Sequence, residues 1–315
     1  MIKKQILGII AACLFALPAQ AQSLYSQAFG KKTNKPVIFI HGGPGGNSVQ
    51  FEQTTAQNLA DRGFYVIVYD RRGEGRSADE NAKMTYNEAF EDLNALYKMY
   101  NLETASLIGF SFGGLVTTLF SEKFPQKITS IVLVSSLISQ QESYDHILNS
   151  VKKIYTEKND SAKLKKVAYI EKLNKNSAAY RGGCFDLASE NGYFKVARPD
   201  EEAREIYEQY EASTLFQSNI RNKKSPELFY KNEKQNNIDI KPVLKDIKKK
   251  KIKIFALYGK QDGIFSMAQM NAMKNITGEN NFKYLDNCSH YLYADQQQAF
   301  LNYVEKWIGS EIITR

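Results

Sequence analysis

The sequence predicts an α/β fold in which helices flank one mostly parallel sheet and a helical cap is inserted between two halves of that sheet. From residue 35 onward, short apolar runs rich in Val, Ile and Phe alternate with longer helical patterns, as expected for parallel strands covered on both faces. Strand patterns disappear between residues 139 and 239 and then resume. With 315 residues, 43% of them hydrophobic and 24% charged, the chain can bury the core that such a fold needs.

The alternation of apolar runs and helical patterns predicts individual strands and helices, and it divides the chain after residue 21 into three segments. Apolar runs predict strands at 37–40, 64–69, 105–108, 128–134, 252–258 and 281–285. Helical patterns lie near 48–61, 86–100, 112–124, 267–275 and 296–308. We therefore assign 22–138 to the first half of the core, 139–239 to the cap and 240–315 to the second half of the core.

The first 21 residues predict a secretory signal peptide. Two lysines precede an apolar run at residues 6–17, and Ala-Gln-Ala at 19–21 supplies the small residues that a signal peptidase recognises. The apolar run is too short to cross a bilayer as a stable helix. We expect cleavage after Ala21, a periplasmic or secreted protein, and no stable membrane insertion afterwards. A lipoprotein anchored through Cys13 is a minor alternative, because Ile-Ala-Ala-Cys resembles a lipoprotein processing site.

Charge and composition limit the partners and cofactors. The formal charge of +8 falls to +6 when the leader and its two lysines are removed. The lysine run at 248–251 directly precedes an apolar strand pattern, so we interpret it as a solvated loop or strand edge and expect no nucleic-acid partner. Cys184 and Cys288 are either free buried thiols or one disulfide. Zinc-ligand spacings and His-Glu-x-x-His are absent from the sequence, so we expect no metal and no cofactor.

Residues 109–113 carry the strongest chemical signal. They form Gly-Phe-Ser-Phe-Gly directly after a predicted strand and at the start of a predicted helix. In a Gly-x-Ser-x-Gly turn of this kind, the strained backbone projects the serine Oγ out of the sheet, and the helix N-terminus favours developing negative charge. The pattern predicts Ser111 as a nucleophile, and a chance serine in an ordinary turn is the alternative.

A serine nucleophile needs a base, and the base is oriented by an acid. Of the three histidines, His41 precedes the serine, His146 lies in the predicted cap and His290 follows the last predicted strand. The chain order Ser, acid, His that accompanies this serine turn favours His290. Asp262, just after the strand at 252–258, is the predicted acid, and Asp286 is its competitor.

A glycine-rich loop at 41–46, His-Gly-Gly-Pro-Gly-Gly, follows the first predicted strand. A tetrahedral intermediate requires two backbone N–H donors for its oxyanion. We expect them from Phe112, directly after the serine, and from Gly43 in this loop. A second glycine pattern, Gly-x-Gly-x-x-Ala at 73–78, is followed by polar residues instead of a helix, so it does not indicate dinucleotide binding.

Three motifs together resemble the α/β-hydrolase fold and, within it, the proline iminopeptidase family. They are His-Gly-Gly-Pro-Gly at 41–45, Asp-Arg-Arg-Gly-Glu-Gly-Arg-Ser at 70–77 and Gly-Phe-Ser-Phe-Gly-Gly at 109–114. The resemblance is strong through residue 134 and again from residue 252, and loose in the cap. It implies a metal-free serine peptidase that removes an N-terminal residue, often proline, with the triad and oxyanion donors named above.

The resemblance also implies a site for the substrate's free amino group. Tyr-Glu-Gln-Tyr-Glu at 207–211 is similar to the family's Trp-x-x-Trp-Glu, with tyrosine at both tryptophan positions. Tyr207, Tyr210 and Glu211 share one helix face, and the resemblance implies that Glu211 pairs with the ammonium. The alternative is a surface helix whose tyrosines pack on the core. Glu227 is only a candidate for the family's second cap carboxylate.

We therefore expect an exported serine hydrolase that removes an N-terminal proline or another small residue from short peptides through an acyl-enzyme. A carboxylic ester hydrolase on the same scaffold is the alternative, because an ester substrate needs no ammonium-binding carboxylate. A catalytically silent binding protein is disfavoured because every triad residue is present. Dehalogenases and epoxide hydrolases of this fold carry an aspartate at the position of Ser111.

Overall fold

Within residues 24–309, which the computed structural model describes, seven strands form one sheet: β1 Ser26–Phe29, β2 Lys35–Ile40, β3 Phe64–Tyr69, β4 Ala105–Phe110, β5 Ile128–Val134, β6 Lys253–Gly259 and β7 Phe282–Leu285. Their order across the sheet is β1-β3-β2-β4-β5-β6-β7. The edge strand β1 runs antiparallel to β3, and every other neighbouring pair is parallel. The mostly parallel sheet predicted from the alternation is confirmed.

Helices cover both faces of the sheet, and alternate residues of β2 belong to different cores. Ile38 and Ile40 pack in the cluster that contains residues of the helices Tyr86–Met99 and Phe112–Lys123, whereas Val37 and Phe39 pack in the cluster that contains residues of the helices Gln57–Asp61 and Gln297–Val304. This alternation follows from the period of two along a strand. The α-helices in chain order are α1 Val49–Phe51, α2 Gln57–Asp61, α3 Tyr86–Met99, α4 Phe112–Lys123, α5 Gln140–Glu157, α6 Ser161–Glu171, α7 Ala178–Glu190, α8 Glu201–Ala212, α9 Ser225–Asn232, α10 Lys241–Lys249, α11 Met267–Thr277, α12 Leu292–Asp295 and α13 Gln297–Val304. π-Helical turns at Glu52–Ala56 and Glu305–Gly309 and 3₁₀ turns at Pro125–Lys127, Thr214–Ser218 and Glu279–Asn281 complete the helical structure.

Helices α5 to α9 occupy the stretch between β5 and α10. Its two ends meet in an isolated antiparallel bridge between Ser139 and Asp239. The Gln140 N–H donates to the Ile238 carbonyl at 3.1 Å, and the Ile240 N–H donates to the Ile138 carbonyl at 2.8 Å. Helix α5 packs on α6 and α7, whereas α8 packs on α12 of the core. The helical stretch therefore leaves and re-enters the core at one point.

Two elements differ from the sequence prediction. Strand β1 was not predicted, because it has only four residues and lies at the sheet edge with partly exposed side chains. The lysine run interpreted as a loop or strand edge in fact begins in the last turn of α10. Leu244 and Ile247, three positions apart, bury one face of this helix, and lysines near its C-terminus are favoured by the helix dipole.

Cys184 and Cys288 are buried and free, so they do not form the disulfide that the sequence left open. Burial raises the pKa of each thiol to about 12, which keeps both protonated and unreactive near neutral pH. Within 24–309, no helix is long and apolar enough to cross a membrane. The same residues contain no cluster of His, Cys, Asp and Glu arranged to hold a metal ion. The predicted leader, including Cys13, lies outside the described residues.

Candidate active site

Ser111 lies on a strained turn between β4 and α4. Its backbone has φ 53° and ψ −121°, a conformation that non-glycine residues rarely adopt and that is found at nucleophile turns. The turn is held from both sides, because the Ser111 N–H donates to the Val134 carbonyl at 3.0 Å and the Ser111 carbonyl accepts from the Leu137 N–H at 3.2 Å. The residue is half-buried at the carboxyl end of the sheet.

The glycines on either side of Ser111 are required by close packing. A Cβ atom on Gly113 would lie 2.1 Å from the Ile40 carbonyl oxygen, and one on Gly109 would lie 2.4 Å from Thr117 Oγ1. Any side chain at these positions would push α4 away from β2 or from its own strand. The Gly-x-Ser-x-Gly spacing thus sets how closely the helix begins behind the serine.

His290 and Asp262 are hydrogen-bonded to each other. His290 Nδ1 lies 2.8 Å from Asp262 Oδ2, and the two residues are 4% and 3% exposed. The other carboxylate oxygen of Asp262 accepts from the Ile264 N–H at 3.1 Å, which fixes the acid in place. Asp286, the competitor considered from the sequence, has a side chain 80% exposed and pairs with Lys260 at 2.8 Å. The structure therefore brings Asp262, not Asp286, to the histidine.

Aromatic rings surround the His290 imidazole. The ring centroids of Phe110 and Phe194 lie 5.0 and 5.2 Å from that of His290, and that of Tyr291 lies at 5.6 Å. Phe110 directly precedes Ser111, so the serine turn borders the imidazole. Phe194 comes from the segment between α7 and α8, which means that the helical insertion also covers the histidine. Apolar rings at this point limit access of water to the Asp262–His290 pair.

Asp295 is a further buried carboxylate in this region, and no sequence pattern pointed to it. One of its oxygens accepts from the Ser289 N–H at 2.9 Å and the other from the Tyr207 hydroxyl at 2.6 Å. Burial raises the pKa of Asp295, and these two hydrogen bonds oppose that effect. Because Ser289 directly precedes His290, Asp295 helps to set the backbone of the histidine loop.

The glycine-rich loop at 41–46 is fastened to the core by His41 and Arg71. His41 is fully buried; its Nδ1 lies 2.7 Å from the Gly42 carbonyl oxygen, and its Nε2 accepts from the Arg71 N–H at 3.0 Å. Burial, together with the positive charge of Arg71, lowers the pKa of His41 to about 3. His41 is therefore neutral near pH 7, and both of its nitrogens are used to hold the loop.

The motif at 70–77 supports the same loop through a buried ion pair. Arg71 Nη2 donates to the Gly42 carbonyl at 2.8 Å, and Arg71 Nε donates to Glu74 at 2.7 Å. Glu74 in turn accepts a hydrogen bond from the Gly45 N–H. No helix follows the glycines of this motif until α3 begins at Tyr86, which agrees with the rejection of a dinucleotide site there.

The candidate residues of α8 do not share one environment. The Tyr207 hydroxyl donates to Asp295, and the buried Tyr210 accepts from Asn219 Nδ2 at 2.7 Å. Glu211 is exposed, and no hydrogen bond or ion pair joins its carboxylate to any residue in 24–309. Glu227, in the first turn of α9, is exposed as well. The two tyrosines thus pack inward as in the alternative interpretation, and Glu211 as an ammonium-binding residue stays a prediction.

Comparison with known proteins places this geometry in context. A family model described as alpha/beta hydrolase fold matches residues 35–297. The chain is 32% identical over 128 residues to a proline iminopeptidase of Clostridioides difficile (strain 630), which covers 39% of this chain and 43% of that protein. It is 23% identical over 305 residues to a proline iminopeptidase of Lacticaseibacillus rhamnosus (strain Lc 705), covering 93% and 97%.

The relatives differ in how much of their length is matched. For five of the matched relatives, including the Clostridioides difficile protein, the aligned region spans only 33% to 43% of the relative's own length.

Among solved structures, one from a study of carboxylesterases of the thaumarchaeon Nitrososphaera gargenis has a TM-score of 0.60 at 17% identity, covering 93% of this chain and 97% of that one. At this identity the structural likeness shows the shared fold alone.

Proposed function

Because the chain belongs to the alpha/beta hydrolase fold family, we propose that it is a serine hydrolase that forms an acyl-enzyme on Ser111. The observation that carries the proposal is the hydrogen bond between His290 and Asp262 at the sheet edge where the strained Ser111 turn lies. A histidine held by a buried aspartate can accept the serine proton. The buried thiols remain protonated and do not compete as nucleophiles.

The proposed reaction has two stages. Ser111 Oγ attacks the substrate carbonyl while His290 Nε2 takes its proton, and the imidazolium then protonates the leaving amine or alcohol as its bond to the carbonyl carbon breaks. Water next gives a proton to His290 and attacks the acyl-enzyme, which releases the acid and returns the proton to Ser111. Asp262 holds the Nδ1 proton and stabilises the imidazolium throughout.

Gly43 and Phe112 are proposed to bind the oxyanion through their backbone N–H groups. Phe112 is the first residue of α4, where backbone N–H groups have no partner within the helix. In a trans peptide the C=O and N–H point in opposite directions. Arg71 holds the Gly42 carbonyl towards the core, so the Gly43 N–H of that peptide points away from Arg71. The two donors would stabilise charge that develops only during the reaction.

The substrates proposed first are short peptides from which an N-terminal proline or another small residue is removed. The proline iminopeptidases among the relatives support this choice. Such a reaction requires recognition of the free ammonium, and Glu211 on α8 is the residue proposed for it. The substrate would then reach Ser111 with its first residue beneath the helical insertion.

A carboxylic ester hydrolase is the second candidate, and the exposure of Glu211 favours it. A carboxylate in contact with solvent binds a cation only weakly, because water screens the attraction. A neutral ester needs no such pair. The same triad and oxyanion donors would hydrolyse it without change.

The decisive experiment combines a covalent probe with two substrate sets. A fluorophosphonate should label the mature protein once, at Ser111 by peptide mass spectrometry, and Ser111→Ala should prevent labelling. The same variant should lower turnover by about 10⁶-fold. Prolyl and alanyl chromogenic amides and short-chain esters then distinguish peptidase from esterase. Activity that is lost to a chelator and restored by zinc would contradict the serine mechanism.

Export is proposed from the layout of the leader. When the full chain is expressed in a Gram-negative host, mass spectrometry of the periplasmic fraction should find an N-terminus at Gln22. An intact Met1 on cytoplasmic protein would contradict export. Acylation at Cys13 would instead support the lipoprotein alternative.

A further inference from the structure

The helical insertion contacts the glycine-rich loop through one arginine. Arg181 of α7 donates from Nη2 to the Gly43 carbonyl at 2.8 Å. Its guanidinium lies over the ring of Phe185, one turn further along the helix, at 4.8 Å from the ring centroid. Within 24–309, no carboxylate forms an ion pair with Arg181, and its buried Nε has no hydrogen-bond partner. The protein thus directs a half-buried cation at a single backbone carbonyl.

That carbonyl belongs to the residue whose conformation matters most to the proposed oxyanion site. The peptide before the Gly43 Cα is held from the core, because Arg71 Nη2 binds the Gly42 carbonyl at 2.8 Å. The next peptide joins Gly43 to Pro44, and Pro44 has no N–H. The Gly43 carbonyl is therefore the only hydrogen-bonding group of that peptide. Arg181 holds it from the insertion. The two arginines therefore fix both peptides that flank one glycine.

Glycine is the residue for which such anchoring is most needed. Gly43 has φ 156°, and the absence of a Cβ leaves its backbone the widest conformational freedom. A bulkier, conformationally more restricted residue could not take the place of Gly43, because its Cβ would lie 2.6 Å from Arg71 Nη2. An N–H donor must be held within a fraction of an ångström to stabilise an oxyanion, and a misplacement of about 1 Å can cost about 10²-fold in rate.

We propose that Arg181 is a positioning residue that couples the seating of the helical insertion to the orientation of the Gly43 N–H. The inference rests on the proposed function, since it assigns Gly43 to the oxyanion site. Under it, α7 of the insertion contributes to the orientation of the proposed oxyanion donor. Arg181 acts through Gly43, so its loss lowers kcat and leaves KM for a small neutral substrate nearly unchanged.

A second contact keeps the insertion attached when Arg181 is altered. The Asn222 N–H donates to the Gly45 carbonyl at 3.1 Å, and its side-chain amide donates to the Gly73 carbonyl at 2.6 Å. The first bond lies on the Pro44 side of Gly43, the second reaches the neighbouring motif at 70–77, and neither involves a charge. A substitution of Arg181 should therefore loosen Gly43 without detaching the loop.

The test uses the mature protein, a small neutral ester and three variants. Arg181→Met removes the donors and keeps much of the apolar stem, Arg181→Lys keeps the charge, and Arg204→Met on α8 is the control because Arg204 is exposed. We expect Arg181→Met to lower kcat by about 10- to 100-fold with KM within about threefold of wild type. Arg181→Lys should recover part of the loss, and Arg204→Met should behave as wild type.

Two further measurements separate positioning from a fold defect and from failure of the proposed function. The rate of fluorophosphonate labelling should fall with kcat in Arg181→Met, and millimolar guanidinium should raise the activity of a fourth variant, Arg181→Ala, without affecting wild type. Labelling of all variants at the wild-type rate would overturn the role of Arg181 while leaving the serine mechanism intact. A higher KM at unchanged kcat would also overturn it. A wild-type protein that fluorophosphonate does not label at Ser111 would contradict the proposed function itself.

Discussion

The core and the helical insertion hold their candidate functional groups in different ways. In the core, Asp262 and His290 are buried and bonded to each other, and buried His41 and Arg71 hold the glycine-rich loop. In the insertion, the Glu211 carboxylate is exposed and makes no bond to the described part of the chain. The core groups proposed for catalysis are thus held by hydrogen bonds, whereas the carboxylate proposed to bind the substrate's ammonium is held by none within the described residues.

The largest effect that tests this contrast is expected at Asp262. Asp262→Asn keeps the shape of the acid but cannot hold the productive tautomer of His290 or stabilise its charge. We expect kcat to fall by about 10⁴-fold with thermal stability nearly unchanged. Steady-state kinetics on the best substrate, with fluorophosphonate labelling as a second readout, measure this. A loss below tenfold would show that another group, not Asp262, supports the histidine.

A smaller effect is expected in the core, where protonation of His41 should make the stability depend on pH. The folded-state pKa of His41 is about 3, below the ordinary value near 6.5, so the unfolded chain binds the proton more readily. Stability is therefore fully present above pH 6.5 and is lost as pH falls through that value towards 3. Between pH 7 and pH 5, His41 should lower the free energy of unfolding by about 2 kcal/mol.

The control for the pH prediction is His41→Gln, which cannot gain this proton. Denaturant unfolding at pH 7 and pH 5 should show a smaller loss in the variant than in wild type. Equal losses in the two proteins would mean that His41 is not kept neutral by the fold.

A still smaller loss of stability is expected at the contact between α8 of the insertion and the core. Tyr207→Phe removes the hydroxyl that donates to Asp295, but Asp295 keeps the Ser289 N–H on its other oxygen. We expect a loss of stability of about 1 kcal/mol, at the low end for a buried acceptor that loses one partner. Thermal unfolding of Tyr207→Phe, of Asp295→Asn and of the double variant measures the coupling. Additive losses would contradict a direct interaction.

The smallest effect is expected at Glu211. An exposed pair is worth about 0.2–1 kcal/mol, so Glu211→Gln should lower kcat/KM for prolyl and alanyl amides by no more than about fivefold. The loss should shrink at high salt, and short neutral esters should be unaffected. A loss above about 30-fold confined to amine substrates would indicate an enclosed charge pair, as the family resemblance implies. Equal loss on esters would make Glu211 structural.

The parallel sheet of the core could be predicted from the sequence because its determinants are local, and the candidate site residues were chosen from patterns of the same kind. The serine turn, its flanking glycines and the loop at 41–46 are short motifs placed directly after strands, and Asp262 and His290 follow from chain order. Edge strand β1 was missed because four half-exposed residues carry almost no periodic signal. Helix α10 was missed because its lysines concealed the spacing of Leu244 and Ile247.

Residues that act across the chain could not be predicted in the same way. Arg181 meets Gly43 from 138 positions away, and Tyr207 meets Asp295 across 88 positions. No local pattern marks a side chain whose only special property is the distant group that it contacts. The environment of Glu211 was equally hidden, because the helix spacing that groups it with two tyrosines does not say how far that face is covered.

For protein engineering, the bridge between Ser139 and Asp239 marks one place at which the insertion could be exchanged. Paired residues in an antiparallel bridge lie about 5 Å apart, so the chain departs from and returns to nearly the same place. A foreign or shortened segment with matching ends can be joined there without altering the register of β5 and β6. A chimera of this kind would keep Ser111, Asp262 and His290, while the loss of Arg181 and Asn222 would release the loop at 41–46 from its outer supports.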